Sequence, residues 1–190
     1  MTKVSIFGGK GNMGSAIAEV FKRSGNEVDV IGRDYHGQKL GDIVVLAVKY
    51  TDLNALVEAQ AEYLAGKIII DISNPISFTN LSELQVPKGT SVAEIIAKKL
   101  PNSQVVKGFN INFSDSLATC QVKGKPASLL FASDSAEAKQ TIFTALEKSG
   151  AKLVDAGPLS RARELESVGL LLISLAVNQQ IGRDGGLVIL

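Results

Sequence analysis

Short apolar runs alternate along this chain with longer segments that are apolar on one side only. The runs cover residues 3–7, 27–31, 42–48, 67–72, 104–109, 128–132 and 152–155. Two of them, Ile43-Val44-Val45-Leu46-Ala47-Val48 and Ile68-Ile69-Ile70, show no polar alternation. Strands covered on both faces read this way. The one-sided segments, at 12–24, 51–64, 91–100, 135–148 and 160–180, predict helices. Strands and helices in this order predict an α/β fold, a mainly parallel sheet with helices on both faces. Ser91-Val92-Ala93-Glu94 has the capping-box pattern. Gly150 is placed as a C-cap after the fourth helix.

The first strand runs directly into Phe7-Gly8-Gly9-Lys10-Gly11-Asn12-Met13-Gly14. Gly9, Gly11 and Gly14 have the spacing G-x-G-x-x-G, after a strand and at the opening of a helix, with a second strand following. In that context the spacing is a dinucleotide fingerprint of a Rossmann-type fold. Gly9 is expected to permit the tight turn, Gly11 to let a pyrophosphate approach the backbone, and Gly14 to let helix and strand pack closely. The free N–H groups and the positive end of the helix dipole then face the phosphates.

One interval departs from the usual arrangement. Only eight residues separate Arg33 from Asp42, where the common strand order 3-2-1-4-5-6 needs a helix and an edge strand. An extended link must travel back along a strand of about 20 Å and sideways by about 10 Å, a diagonal of roughly 22 Å. Eight residues reach about 26 Å. The third strand and its helix are therefore expected to be missing, with 34–41 crossing as a nearly extended loop.

Arg33 ends the second strand, where an Asp or Glu would bind both ribose hydroxyls and repel a 2′-phosphate. An arginine pairs with a phosphate through two parallel N–H bonds, which favours NADP over NAD. Asp34 opposes that reading if it turns inward, and Arg33 and Asp34 also read as solvated turn residues. Lys39 and His36 are second candidates in the same loop, or surface decoration.

Ligands of open α/β sheets lie beyond the carboxyl ends of the strands. Val48, Lys49, Tyr50, Asn74 and Asn110 are therefore candidates to line the ribose and nicotinamide. Asn74 has the donors for ribose or carboxamide, though Asn-Pro is also a plain turn signal. Lys49 reads as a pyrophosphate contact or a solvated helix start, and Tyr50 as a nicotinamide contact or a lid on the core. No catalytic residue stands out. With one histidine, one cysteine and no ligand-like spacing, a metal site is not expected. Hydride transfer between two stacked rings needs no protein acid, since the cofactor carries the chemistry.

Several segments together resemble a known family. They are Gly8 to Gly14, Arg33, Asp42 to Val48, Asp71-Ile72-Ser73-Asn74-Pro75, Val105 to Asn110, Asp155-Ala156-Gly157-Pro158-Leu159 and Arg161 to Glu166. They resemble NADP oxidoreductases that use a deazaflavin coenzyme, and the related reductase domain of membrane metalloreductases. The resemblance implies direct hydride transfer between NADPH and a flavin-like ring over the nicotinamide. It implies that Lys10 to Met13 hold the pyrophosphate, Arg33 the 2′-phosphate, and that Tyr50 lies near the cofactor. Gly185-Gly186-Leu187 matches the segment approaching the second ring. Gly32 stands where the family has Ser or Thr, and Lys49 where it has Pro. Pyrroline-carboxylate reductase is a second resemblance, through Met13-Gly14 and Leu46 to Lys49, but it carries a longer helical C-terminal half. A non-catalytic nicotinamide sensor is a third reading.

Charge and size limit the remaining classes. Twenty basic residues against 19 acidic ones in 190, with no basic block, suggest neither nucleic acid nor an anionic membrane as partner. One domain with a C-terminal helix and tail is expected. The longest apolar stretch, 169–177, falls short of the roughly 20 residues needed to span a bilayer. A single Cys120 and an N-terminus that starts in a strand suggest a cytoplasmic protein. Helix 160–180 is apolar around most of its circumference, so it is buried or forms a homodimer contact. Gly182 to Gly186 would then place Leu187 to Leu190 on the core or on a second subunit.

Overall fold

The structure, a computed structural model, describes all residues except 33, 34, 36 and 38. The strands are β1 (Lys3–Phe7), β2 (Glu27–Ile31), β3 (Ile43–Leu46), β4 (Ile68–Asp71), β5 (Gln104–Lys107), β6 (Gln121–Val122), β7 (Lys125–Pro126), β8 (Ser128–Ala132) and β9 (Lys152–Gly157). The helices are α1 (Asn12–Arg23), α2 (Tyr50–Leu64), α3 (Val92–Lys99), α4 (Ser114–Thr119), α5 (Ala136–Leu146) and α6 (Ala162–Val177). A 3-10 turn, Leu159–Arg161, leads into α6.

Seven strands form one sheet in the order β2-β1-β3-β4-β5-β8-β9. All neighbours are parallel except β5 and β8, which are antiparallel and share one paired position, Lys107 with Ala132. This is the expected Rossmann-type α/β architecture. The apolar faces of β3 and β4 are covered on both sides, as their unbroken runs required. One side packs Ile17, Val20, Phe21, Ile142 and Leu146 from α1 and α5. The other packs Leu53, Val57, Val92 and Ile96 from α2 and α3.

The expected extended loop over 34–41 lies partly outside the described residues. Between β2 and β3 the described residues contain neither helix nor strand, and the chain steps over β1. It is more than a bare link. Tyr35 and Leu40 are buried, and the Tyr35 ring meets Phe7 and Tyr63 edge-on at centroid distances of 5.5 and 5.6 Å. Burying a ring of this size stabilises by roughly 2–3 kcal/mol, so Tyr35 ties the crossing to β1 and α2. The Gly41 amide then donates to the buried Ser5 hydroxyl at 2.9 Å.

Several boundaries differ from the sequence expectation. The third strand ends at Leu46, not Val48, because the chain turns there toward α2. The last helix ends at Val177, and its expected first turn is the 3-10 turn. Gly150 has a positive φ of 82° but lies beyond the cap of α5, which is Glu147. Helix α4 and the β6–β7 hairpin were not expected; both are too short for a periodic pattern. The Ser91 cap is present: the Glu94 amide donates to Ser91 Oγ at 3.2 Å, and Glu94 Oε2 takes the Ser91 hydroxyl at 2.8 Å in place of the Ser91 amide of a full capping box. Among the described residues no helix is long and apolar enough to cross a membrane.

Candidate functional site

The glycine loop joins β1 to α1 at the carboxyl end of the sheet. Gly8 makes the tight turn, not Gly9: its φ is +76°, and an added Cβ would lie 2.2 Å from the Ala47 carbonyl oxygen. The fingerprint spacing starts one residue later, so sequence reasoning gave this job to the wrong glycine. Gly9 instead faces the Val30 side chain. Gly14 has the expected role. A Cβ there would sit 2.4 Å from Gly8 O and 2.7 Å from Gly9 Cα, so helix and loop touch backbone to backbone.

The residues between them fit a diphosphate. Gly11 is the N-cap of α1, extended at φ −79° and ψ 166°, with no side-chain cap and no acidic residue in the first turn. The leading amides of α1 are thus left for an anion, and a positive dipole end faces it. The nearest neighbour to an added Gly11 Cβ is Gly8 O at 3.3 Å, so this glycine keeps a cradle open. Lys10, Gly11 and Asn12 are exposed, and Met13 packs partly into the core.

The other candidates lie at the ends of β3, β4 and β5. Val48 is half-buried above the loop, its Cγ1 facing Gly8. Lys49 is exposed as N-cap of α2. The Tyr50 hydroxyl donates to the Gln85 carbonyl at 2.8 Å. Its ring lines a cavity of about 290 Å³ between α2 and α3, with Leu53, Val92 and Ile96. Burial, and secondarily the charge of Glu166, raise the Tyr50 phenol above its usual range.

Asn74 and Asn110 come together. Asn74 Nδ2 donates to the Asn110 carbonyl at 2.8 Å, and Asn110 Nδ2 donates to Asn74 Oδ1 at 2.9 Å and to the Leu165 carbonyl at 2.8 Å. Asn110 Oδ1 is buried with no partner among the described residues. Gly169 of α6 lies directly over this pair, where an added Cβ would be 2.2 Å from Asn74 Oδ1. Phe109 brings Asn110 into place from a left-handed conformation, φ 60°, which costs a non-glycine residue about 1–3 kcal/mol. Its fully buried ring, packed edge-on against Phe21 and Phe131, holds that geometry.

Beneath the pair is a cluster that sequence reasoning missed. Lys107 is fully buried, and its Nζ donates to Asp71 Oδ2 at 2.8 Å, Glu166 Oε1 at 2.9 Å and the Ser73 carbonyl at 2.5 Å. Asp71 Oδ1 accepts from the Ser73 amide at 2.9 Å. Glu166 Oε1 also accepts the Val92 amide at the start of α3, at 2.9 Å. Glu166 Oε2 and Ser73 Oγ have no partner among the described residues. The available signal was a charge closing each of two apolar strands, and a Glu on the Ala162, Leu165, Gly169 face of α6.

Arg33, Asp34 and His36, the nucleotide-selecting candidates, lie outside the described residues. Lys39 is exposed. The tail is anchored on its own chain: Gly186 bridges Asn112, Leu187 packs with Ile111, Ala132 and Leu165, and the Ile189 amide donates to Ser128 Oγ at 2.9 Å.

Residues 38–75 match a family described as NADP oxidoreductase, coenzyme F420-dependent. Over 169 residues the chain is 28% identical to the F420-dependent NADP reductase of Methanocaldococcus jannaschii, covering 84% of this chain and 73% of that one. The chain is thus similar in sequence to the F420-dependent NADP oxidoreductases. This bears out the resemblance drawn from the glycine loop and the later segments. Metalloreductase STEAP3 of Rattus norvegicus is 34% identical over 131 residues, 69% of this chain but only 25% of the longer metalloreductase. A crystal structure from Arthrobacter sp. FB24, assigned as an F420-dependent NADP reductase, superposes with a TM-score of 0.83 at 24% identity, over 96% of this chain and 97% of that one. Plasmodium falciparum pyrroline carboxylate reductase, with NADP bound, shares the fold at a TM-score of 0.60 and 15% identity, covering 96% of this chain and 72% of that one.

Proposed function

We propose that this NADP-dependent oxidoreductase transfers a hydride between NADP(H) and a planar acceptor of the flavin or deazaflavin class. The observation that carries the reading is the uncapped start of α1 around Gly11, on a chain similar in sequence to the F420-dependent reductases. When bound, NADP(H) supplies the hydride. Lys10 to Met13 border the diphosphate, which the amides of Asn12 and Met13 hold while the Gly11 amide stays on the Gly8 carbonyl at 2.9 Å, with Gly9 and Gly14 shaping the loop. Arg33 takes the 2′-phosphate. Val48, Lys49 and Tyr50 border the ribose and nicotinamide on one side, and the Asn74–Asn110 pair on the other. The spare hydrogen on Asn74 Nδ2 is a donor for the ribose or carboxamide. No side chain need act as acid or nucleophile if the acceptor ring lies flat over the nicotinamide.

The reading treats the whole chain as one unit that works in the cytoplasm. Cys120 is free and buried, as suits a reducing compartment. Leu171 and Val177 of α6 are exposed and form the contact of a proposed homodimer. The test mixes pure protein with NADPH and, in turn, a deazaflavin, FMN, FAD, a quinone and pyrroline-carboxylate, and follows loss of the near-ultraviolet absorbance of the reduced nicotinamide. Turnover with a deazaflavin or flavin is expected. Turnover with pyrroline-carboxylate alone, or tight NADPH binding without any turnover, would refute the acceptor.

A further inference from the structure

We infer that Glu166 is a selectivity residue for the redox state of the nicotinamide, its carboxylate favouring the oxidised, positively charged ring. This rests on the reading that the site binds NADP(H). The cluster of Asp71, Lys107 and Glu166 is sealed from solvent, with all three side chains at 0% exposure. With both acids ionised it carries one net negative charge, at the carboxyl ends of β4 and β5. Asn74 and Asn110 follow those strand ends by three residues each, so the cluster lies under the proposed nicotinamide crevice. Little of its field is screened by salt there, because the charges are buried.

A proton on Glu166 makes the cluster neutral. Among the described residues its Oε2 has no hydrogen-bond partner, so none of them holds that oxygen in the ionised form. The groups facing it are Lys107 from β5, Asp71 from β4, the Val92 amide from α3 and Tyr50 from α2. Arg163, on its own helix, is engaged by Glu94 at 2.9 Å. Burial, the largest influence, pushes the Glu166 carboxyl up to about 7; Lys107 opposes that shift and Asp71 reinforces it.

The linkage has a definite sign. NADP⁺ bears a positive pyridinium ring and NADPH a neutral one. NADP⁺ binding therefore expels the Glu166 proton to bulk water, and NADPH binding leaves it in place. The affinity for NADP⁺ relative to NADPH should rise with pH through neutrality. A unit charge acting over about 10 Å at an effective dielectric near 20 changes that ratio roughly tenfold. The 2′-phosphate is common to both nucleotides, so its own titration cancels in the ratio.

The experiment measures both dissociation constants from about pH 5.5 to 8.5, for the natural chain and for Glu166→Gln. The natural chain should show the tenfold change. Glu166→Gln should hold the ratio at the natural chain's acidic value at every pH. A natural chain whose ratio stays flat, or a Gln variant that keeps the same pH profile, overturns the inference. Should the variant fail to fold, calorimetry on the natural chain in buffers of different ionisation heat decides. NADP⁺ binding near neutrality should release more protons than NADPH binding, and equal release overturns the inference. If neither nucleotide binds at any pH, the cofactor reading itself fails, which is a separate result from a constant ratio.

Discussion

Replacing Lys107 with Met should remove a large part of the chain's stability. The variant keeps nearly the same volume but deletes the cation between two carboxylates that are fully buried. Asp71 and Glu166 each lose a charge-assisted hydrogen bond, at 2.8 and 2.9 Å, and the Ser73 carbonyl loses its donor. Breaking a buried ion pair by removing one partner costs about 3–5 kcal/mol, because a buried charge is left uncompensated. Domains are stable by about 5–15 kcal/mol in total. With a urea slope of about 2 kcal/mol per molar, the unfolding midpoint at pH 8 should fall by roughly 2 M. Circular dichroism in urea would read this directly. The loss should shrink near pH 5, where Glu166 takes up a proton, and should be partly reversed at pH 8 by adding Glu166→Gln. A loss under about 1 kcal/mol, or one that is the same at both pH values, would show that the cluster is not a closed electrostatic unit.

Glu166 also makes the natural chain's stability depend on pH. Its folded pKa, about 7 against an ordinary 4.5, is raised, so its contribution is full below about pH 4.5 and is lost as pH rises through 7. The change is up to about 3 kcal/mol, and urea curves of Glu166→Gln should lack it. Gly169→Ala drives a Cβ to 2.2 Å from Asn74 Oδ1; it should cost about 1–3 kcal/mol and weaken both NADP⁺ and NADPH in a binding titration. Gly14→Ala, 2.4 Å from Gly8 O, should lower the melting temperature and weaken every pyridine dinucleotide. Arg33→Ala should weaken NADPH roughly 30- to 150-fold, from the loss of about 2–3 kcal/mol, with NADH little changed. Equal losses for NADPH and NADH would show that Arg33 does not read the phosphate.

The fold was largely legible because its evidence is local. Ile43 to Leu46 and Ile68 to Ile70 are continuous apolar runs, and such runs become buried parallel strands wherever they stand. That no third strand or helix appears among the described residues between β2 and β3 was legible for another reason: the interval from Arg33 to Asp42 is too short for both. Tyr35 as a tie from the crossing to β1 and α2 was not legible, since a tyrosine in a short polar loop gives no periodic signal. Nor was Phe109, whose left-handed turn depends on rings contributed by α1 and β8. The site divides in the same way. The glycine loop is contiguous, so its spacing gave it away, apart from the one-residue shift that hid Gly8. Asn74 and Asn110 were each readable from their strand ends, but their mutual amide pairing was not. Asp71, Lys107 and Glu166 are far apart in the chain, and their union follows only from strand order and the register of α6.

The join between β5 and β8 has a mechanical consequence. Every other neighbour pair in the main sheet shares four or five paired positions; this join has Lys107 against Ala132 and nothing more along the ladder. The Ser133 hydroxyl, donating to the Val105 carbonyl at 2.7 Å, stitches the two sides at a second point. The ladder is thus shortest at this seam, and the residue on it is the one that anchors the buried charges. Loss of Lys107 would therefore strand two acids where the sheet is most thinly joined. Amide exchange should then quicken first in β8 and β9, before the strands beside the nucleotide loop give way.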